Sequence, residues 1–474
     1  MKNYRSLKQI QEDLYGGLIS CQDLVESYLH RISQKPDINA FIETYADEAI
    51  KKAKEIDLKI LNQNAGALAG LVIGVKDNIC YKDHQSSASS QMLKGFTSTY
   101  SATVLDRLLE QDAIILGRLN CDEFAMGSSN ENSTYGPVKN PINPRHVPGG
   151  SSGGSAAAVK ADLCHAALGT DTGGSIRQPS AFCGVVGLKP TYGLVSRHGL
   201  IAFASSFDQI GPITKCIADS MEIMKAISGK DDFDSTCVGE NILRQKNKKT
   251  KKTLRLAIIN QAVEFPGIQA EIKDSFIKFV KSIEKRGHST TRIDLPLLDY
   301  LSPAYYIMTT AEASSNLSRY DGIKYGYQHE AEDIDDLIKK TRTAGFGAEV
   351  KRRIMLGTFV LSSGYYEAYY KKAQKVRQMI KKETERILKK YDYILLPTTP
   401  NMPFQIGEKP NLIQRYHEDV FTVHANLSGH PALSFPIGSG KNFPVSAQLM
   451  GDYFSEKEML QTAQSLQKTT NESC

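Results

Sequence analysis

Apolar residues recur at three- and four-residue steps through the start of the chain, at Leu7, Ile10, Leu14, Leu24, Tyr28 and Ile32, with little glycine or proline between them. That period lines one face of a helix and predicts surface helices over the first sixty residues. The pattern changes at Leu68. Residues 70–75 form an apolar run that predicts a buried strand; 103–110 read as a helix and 113–116 as the next strand. Residues 127–154 are rich in Gly, Ser, Asn and Pro, and so long an irregular stretch between strands favours a functional loop. A small-residue helix over 155–161, a strand over 166–169 and a second Gly-rich turn, Thr172-Gly173-Gly174-Ser175, follow. Residues 362–391 predict a long helix with Tyr366, Tyr369, Ala373, Val376, Ile380 and Ile387 along one face, which reads as core packing. Strands over 393–396, 432–436 and 445–449 and a helix over 455–467 complete the pattern. Strands alternating with helices predict an α/β sheet. With no internal repeat and no interdomain linker, the organisation is a helical N-terminal segment, residues 1–60, packed on one large domain, 61–474.

Composition changes this picture little. At 474 residues, 41% hydrophobic and 23% charged, the chain is an ordinary globular protein, long enough for a large core. No stretch approaches the roughly 20 apolar residues a membrane helix needs, and the polar start Met1-Lys2-Asn3-Tyr4-Arg5-Ser6 is not a secretory signal, so a cytoplasmic location without a membrane partner is expected. The 8 cysteines include no C-x-x-C pair, which argues against a zinc site and a disulfide framework. A net charge of +6 is too small over this length to argue for nucleic-acid binding. The densest basic run, Lys246-Asn247-Lys248-Lys249-Thr250-Lys251-Lys252, precedes an apolar segment over 254–259 and reads as a solvated loop.

The chemistry lies in three short pieces: Gly74-Val75-Lys76-Asp77-Asn78, Gly149-Gly150-Ser151-Ser152-Gly153-Gly154-Ser155 and Gly169-Thr170-Asp171-Thr172-Gly173-Gly174-Ser175-Ile176-Arg177. A serine needs a base before it is a nucleophile, so no single piece is decisive. Ser151 also satisfies G-x-S-x-G, but His146-Val147-Pro148 supplies no strand for a nucleophile elbow and no histidine stands in a triad context. No Gly-rich loop ends in Gly-Lys-Ser/Thr, which argues against a phosphate cradle. Taken together the three pieces resemble the amidase signature family, with Lys76 and Ser151 75 residues apart and Ser151 and Ser175 24 apart.

That resemblance spans nearly the whole chain. It implies a large mixed β-sheet covered by helices on both faces, and a Ser-cisSer-Lys triad with Ser175 as nucleophile, Ser151 as bridging serine after a cis peptide bond, and Lys76 as base. A lysine accepts a proton near neutral pH only if burial lowers its pKa, which a position at the end of an apolar strand provides; the alternative is a salt bridge to Asp77. The backbone N–H groups of Thr172, Gly173, Gly174 and Ser175 are the candidate oxyanion donors. Arg177 and Asp171 read as an ion pair holding that turn.

Within the family, Ala311-Glu312-Ala313-Ser314-Ser315-Asn316-Leu317, Arg319-Tyr320-Asp321-Gly322, the run from Phe346 to Gly357 and Tyr416-His417-Glu418-Asp419 resemble the glutaminase subunits of tRNA-dependent amidotransferases. Glutamine carries an α-carboxylate and an α-ammonium, and a pocket must meet each with the opposite charge. The resemblance assigns Arg353 (or its neighbour Arg352) to the carboxylate, Asp419 to the ammonium and Tyr305 to the wall. It also implies no cofactor or metal in this chain, a B subunit that activates Glu-tRNA(Gln) with ATP and Mg²⁺, and a small C subunit that clasps the two; Asp-tRNA(Asn) stays open as a second acceptor. Cys121 and the segment Phe443-Pro444-Val445-Ser446-Ala447-Gln448 depart from the family's wording and read as positions behind the site. The alternatives are a stand-alone amidase for a small amide, an esterase using Ser151, and a scaffold without chemistry, which the intact triad disfavours.

Overall fold

The computed structural model describes residues 2–238, 252–408 and 418–467. Most of the basic run 246–252, and Tyr416 and His417, lie outside the described residues. Eleven strands among the described residues form one sheet: β1 Phe41–Thr44, β2 Val72–Lys76, β3 Ile114–Leu119, β4 Ala166–Asp171, β5 Val186–Lys189, β6 Gln209–Thr214, β7 Arg255–Ile259, β8 Ser289–Ile293, β9 Tyr393–Pro397, β10 Ala432–Ser439 and β11 Pro444–Met450, in the order β1-β3-β2-β4-β6-β5-β10-β11-β9-β7-β8. The sheet is mixed: β3-β2-β4 and β9-β7-β8 run parallel, and the pairs between and outside them are antiparallel.

Side chains alternate across each strand, so every buried strand supplies two cores. Ile73 and Val75 of β2, Leu256 and Ile258 of β7, and Leu433 and Phe435 of β10 share one cluster with the helices Thr103–Glu110, Ile217–Ile227, Ala270–Lys285 and Glu456–Gln467. Their strand neighbours face the other way. Val72, Ile114 and Ala167 pack against the N-terminal helices, and Ala257, Ile259, Ile394 and Leu396 against the helices Leu298–Asn316 and Lys372–Lys390. Helices thus cover both faces, and Lys76 falls on the same side of β2 as Val72. Among the described residues no helix is long and apolar enough to cross a membrane.

Two expectations need correction. The first sixty residues are not only surface helices: between Cys21–Gln34 and Ala46–Leu61 the chain forms β1, which pairs antiparallel with β3 and adds an edge to the sheet. The helix expected over 362–391 starts as a regular helix only at Lys372, after a π-helical turn Tyr366–Lys371, and Tyr366 and Tyr369 are exposed while Ala373, Ile380 and Ile387 reach the core.

Candidate functional site

β2 ends in Lys76, whose ammonium is wholly enclosed. Nζ lies 2.7 Å from Ser151 Oγ, 2.9 Å from Ser152 Oγ and 2.8 Å from Thr170 Oγ1. Burial pushes its pKa down to about 8, against the raising influence of Asp122, Asp171 and Asp208. The Asp77 salt bridge is not what holds it: the Asp77 carboxylate is taken by Arg118 Nη1 at 2.9 Å, by Ser87 and by the Ser89 N–H. Ser152 is fixed as an acceptor toward the lysine, because its own hydroxyl donates to Thr170 O at 3.1 Å.

The peptide bond between Gly150 and Ser151 is cis, and Ser151 is fully buried. Ser175 is the more accessible serine, 8% exposed, and its carbonyl accepts from Ser152 N at 3.1 Å, which ties the two Gly-rich turns together.

The second turn is set by Asp171, at the end of β4. Its carboxylate accepts from Gly174 N at 2.9 Å, Ile176 N at 3.1 Å, and Arg177 Nε and Nη2 at 3.0 and 2.8 Å. Burial would raise its pKa, but the Arg177 guanidinium outweighs that and holds the carboxyl well below its usual range. Arg177 also donates to Thr422 O and to the side chains of Asn426 and Gln448, so the expected ion pair is fastened to the helix Val423–Ser428 and to β11. Gln448 thereby reaches the site, and Cys121 lies in the same buried region as Lys76.

One expected oxyanion donor is corrected. The Gly174 N–H donates to Asp171, and Thr422 Oγ1 donates to the Gly173 carbonyl at 2.6 Å, so this peptide unit is committed to holding the turn. Gly174 adopts φ +130°, and a Cβ there would strike Thr422; at Gly173 one would strike the Tyr305 ring. Thr172 is anchored through Oγ1 to Asp208 Oδ1 at 2.7 Å.

Tyr305, buried on the helix Leu298–Asn316, packs edge-on against Phe207 with ring centroids 5.9 Å apart. Arg353 and Arg352 are distinguished by the helix Ala348–Leu361 that carries both. The Arg353 side chain is 8% exposed against 35% for Arg352, and its guanidinium lies 5.3 Å from the centroid of Phe203 and 5.8 Å from that of Tyr306. Glu349 accepts from Arg353 Nε at 2.7 Å and from Arg352 Nε and Nη2 at 2.9 and 2.7 Å. Although burial raises its pKa, Arg353 and Arg352 hold Glu349 down at about 2. Glu123 fastens the start of the helix, accepting from Gly347 N at 2.9 Å. Asp419 is half-buried; burial pushes its carboxyl up to about 7 against the pull of Arg353, and its carbonyl accepts from Thr422 N at 3.0 Å. Sequence reasoning missed Ser152, Thr170, Asp208, Glu349 and Glu123. Among the described residues no group of three or more His, Cys, Asp and Glu is placed to hold a metal ion.

A buried lysine hydrogen-bonded to the serine of a cis bond, beside a Gly-Gly-Ser turn on a mixed eleven-stranded sheet, is the arrangement of a serine amidohydrolase. The chain belongs to the amidase family, whose model matches residues 23–460. It is similar, at 48% identity over 98% of this chain and 97% of the relative, to the A subunit of glutamyl-tRNA(Gln) amidotransferase from Halothermothrix orenii. The crystal structure of the corresponding glutamyl-tRNA(Gln) amidotransferase polypeptide from Thermotoga maritima is 39% identical and superposes with a TM-score of 0.79, covering 95% of this chain and 92% of that one. The native peptide amidase of Stenotrophomonas maltophilia, 26% identical, gives a TM-score of 0.82 over 98% and 97%. Overall shape therefore does not choose the amide; the residues of the pocket must.

Proposed function

We propose that the chain is the glutamine-hydrolysing subunit of a tRNA-dependent amidotransferase, supplying ammonia that converts Glu-tRNA(Gln) to Gln-tRNA(Gln). The observation that carries the choice of glutamine is the pair of opposite charges Arg353 and Asp419 near the turn bearing Ser175: Asp419 O accepts from Thr422 N, Thr422 Oγ1 donates to Gly173 O, and the Arg353 guanidinium lies 5.8 Å from the Tyr306 ring, itself 5.2 Å from Tyr305, whose ring covers that turn. Glutamine lies with its α-carboxylate on the Arg353 fork, its α-ammonium at Asp419 and its side-chain amide at Ser175. Since Glu349 takes Arg353 Nε, the two terminal nitrogens are the ones offered to the ligand.

A neutral Lys76 has two N–H groups and one lone pair. Ser152 and Thr170 take the N–H groups, so the lone pair is directed at Ser151, which passes on the proton of Ser175 as Ser175 Oγ attacks the amide carbon. The backbone N–H groups of Thr172, Gly173 and Ser175 meet the developing oxyanion. The proton returns along the same path to the leaving ammonia, and water resolves the glutamyl ester by the same relay. In this reading a B subunit carries ATP and Mg²⁺ and activates the aminoacyl-tRNA, and a C subunit joins the two.

Arg353→Lys tests the substrate. A point charge does not replace a planar fork, so KM for glutamine should rise about ten- to a hundred-fold with little change in kcat, while hydrolysis of propionamide stays as in wild type. Equal loss on both amides, or indifference to the substitution, would point to a stand-alone amidase. Asp419 adds a pH signature. The ammonium is bound by the carboxylate, and with a pKa near 7 in the free enzyme that form declines as pH falls. The KM for glutamine should rise roughly tenfold for each unit below about 7, and Asp419→Asn should abolish that dependence.

A further inference from the structure

Asp208 takes no part in the proton relay, yet it stands between the two ends of the pocket. It directly precedes β6 and is 3% exposed. A carboxylate so enclosed needs its charge met by donors, and three meet it: Thr172 Oγ1 donates to Oδ1 at 2.7 Å, and Phe203 N and Ala204 N donate to Oδ2 at 2.9 and 3.0 Å. Both oxygens are thereby committed within the protein. Burial pushes the carboxyl up to about 6, so it is ionised in the range where Lys76 becomes neutral.

These donors belong to opposite ends of the pocket. Thr172 begins the turn that bears Ser175, whereas Phe203 is the buried ring 5.3 Å from the Arg353 guanidinium. Between Phe203 and Asp208 the chain makes one tight turn, with Phe207 N and Asp208 N both donating to Ala204 O at 2.9 Å. Phe207, within that turn, meets the Tyr305 ring edge-on. The loop is also held from outside: Asn316 Nδ2 donates to Phe203 O at 3.1 Å, and Arg377 Nη1 and Nη2 donate to Ser206 Oγ and O at 2.9 and 2.8 Å. One braced loop thus presents Phe203 to the cation, Phe207 to the wall and Asp208 to the nucleophile turn.

We propose that Asp208 is a positioning residue that fixes the spacing between Arg353 and Ser175, so that an amide held by its α-carboxylate reaches the nucleophile in register. The proposal rests on the glutamine reading and adds what measures the length of the substrate. A substrate gripped at one end gains from that grip only if its amide carbon falls within reach of Ser175 Oγ, and a misplacement of about 1 Å costs roughly a hundred-fold. Propionamide has no carboxylate to be gripped and settles at the turn by itself, so it depends on Asp208 only through Thr172. Asp208 therefore governs preference more than chemistry.

The test measures kcat/KM for glutamine and for propionamide with the assembled enzyme, above the pKa values of Asp208 and Asp419, in wild type, Asp208→Ala, Arg353→Lys and the double variant. The glutamine-to-propionamide ratio should fall about a hundred-fold in Asp208→Ala, and adding Arg353→Lys should lower it little further, because the grip is already out of register. Asp208→Asn should keep the preference, since its oxygen can accept from Phe203 N and Ala204 N while its amide donates to Thr172 Oγ1. Thr172→Val cuts the same link from the other end and decides the matter if Asp208→Ala does not fold; it too should lower the ratio. Equal loss on both amides in Asp208→Ala and Thr172→Val, or full multiplication of the Asp208 and Arg353 effects, overturns the proposal. A wild type that favours propionamide overturns the glutamine reading itself, a result distinct from a glutamine-selective wild type whose preference survives these substitutions.

Discussion

Ser175→Ala should abolish ammonia release from glutamine, with a loss on the order of a million-fold in kcat, the size seen when an activated serine nucleophile is removed. Glutamine binding should survive, because in the proposed pose Arg353, Asp419 and Tyr305 meet other parts of the substrate. Calorimetric titration of the variant should therefore give a dissociation constant within about a factor of three of wild type, while a coupled ammonia assay reads background. Ser151 is fully enclosed and hydrogen-bonded to Lys76, whereas Ser175, 8% exposed and just after the Gly173 that Tyr305 covers, is the more accessible of the two. Substantial turnover in Ser175→Ala would return the nucleophile to Ser151.

Lys76 carries the second large effect. With its pKa brought down to about 8 by burial, the neutral fraction grows as pH rises, so kcat/KM for glutamine should climb tenfold per unit between about 7 and 8, roughly a hundredfold per unit below 7 where Asp419 is protonated as well, and level off above 8. Lys76→Ala should cost roughly a hundred- to ten-thousand-fold. Lys76→Arg is the more informative change. A guanidinium stays charged throughout this range, keeping the cation and its donors but offering no lone pair. If Lys76 is the base, arginine rescues nothing at any pH; if it is only a structural cation, arginine restores much of the activity.

The parts of the fold that could be read from the sequence are those where a local pattern and the final environment agree. β2, β3, β9 and β10 are apolar runs buried on both faces, and all four stand within a few residues of their predicted places. Other strands hide their pairing. β6 carries Gly211 and Pro212 yet sits between β4 and β5, where proline argues against a central strand. β8 is polar and largely exposed at the sheet edge, and β5 has four residues, two of them Gly187 and Lys189. β1 exists only because β3 offers it an edge, so no helical period could announce it.

The site divides in the same way. Lys76, Ser151 and Ser175 were legible because each stands in a short motif whose spacing matches a family pattern, and their supports were not, because they come from elsewhere in the chain. Asp208 anchors Thr172 from 36 residues away, and Glu123 caps a helix 224 residues later. Ser152 and Thr170 lie inside the quoted motifs, but nothing local says that their hydroxyls close the lysine's coordination. In Lys351-Arg352-Arg353 the helical turn decides the roles, sending Arg353 inward over Phe203 while Arg352 stays near the surface.

The most direct test of the account is to quench the assembled enzyme during turnover of glutamine and map the acylated peptide by mass spectrometry. The account predicts a glutamyl ester on Ser175, formed only with glutamine and absent in Ser175→Ala. A glutamyl adduct on Ser151, or ammonia release with no acyl-enzyme on either serine, would contradict it.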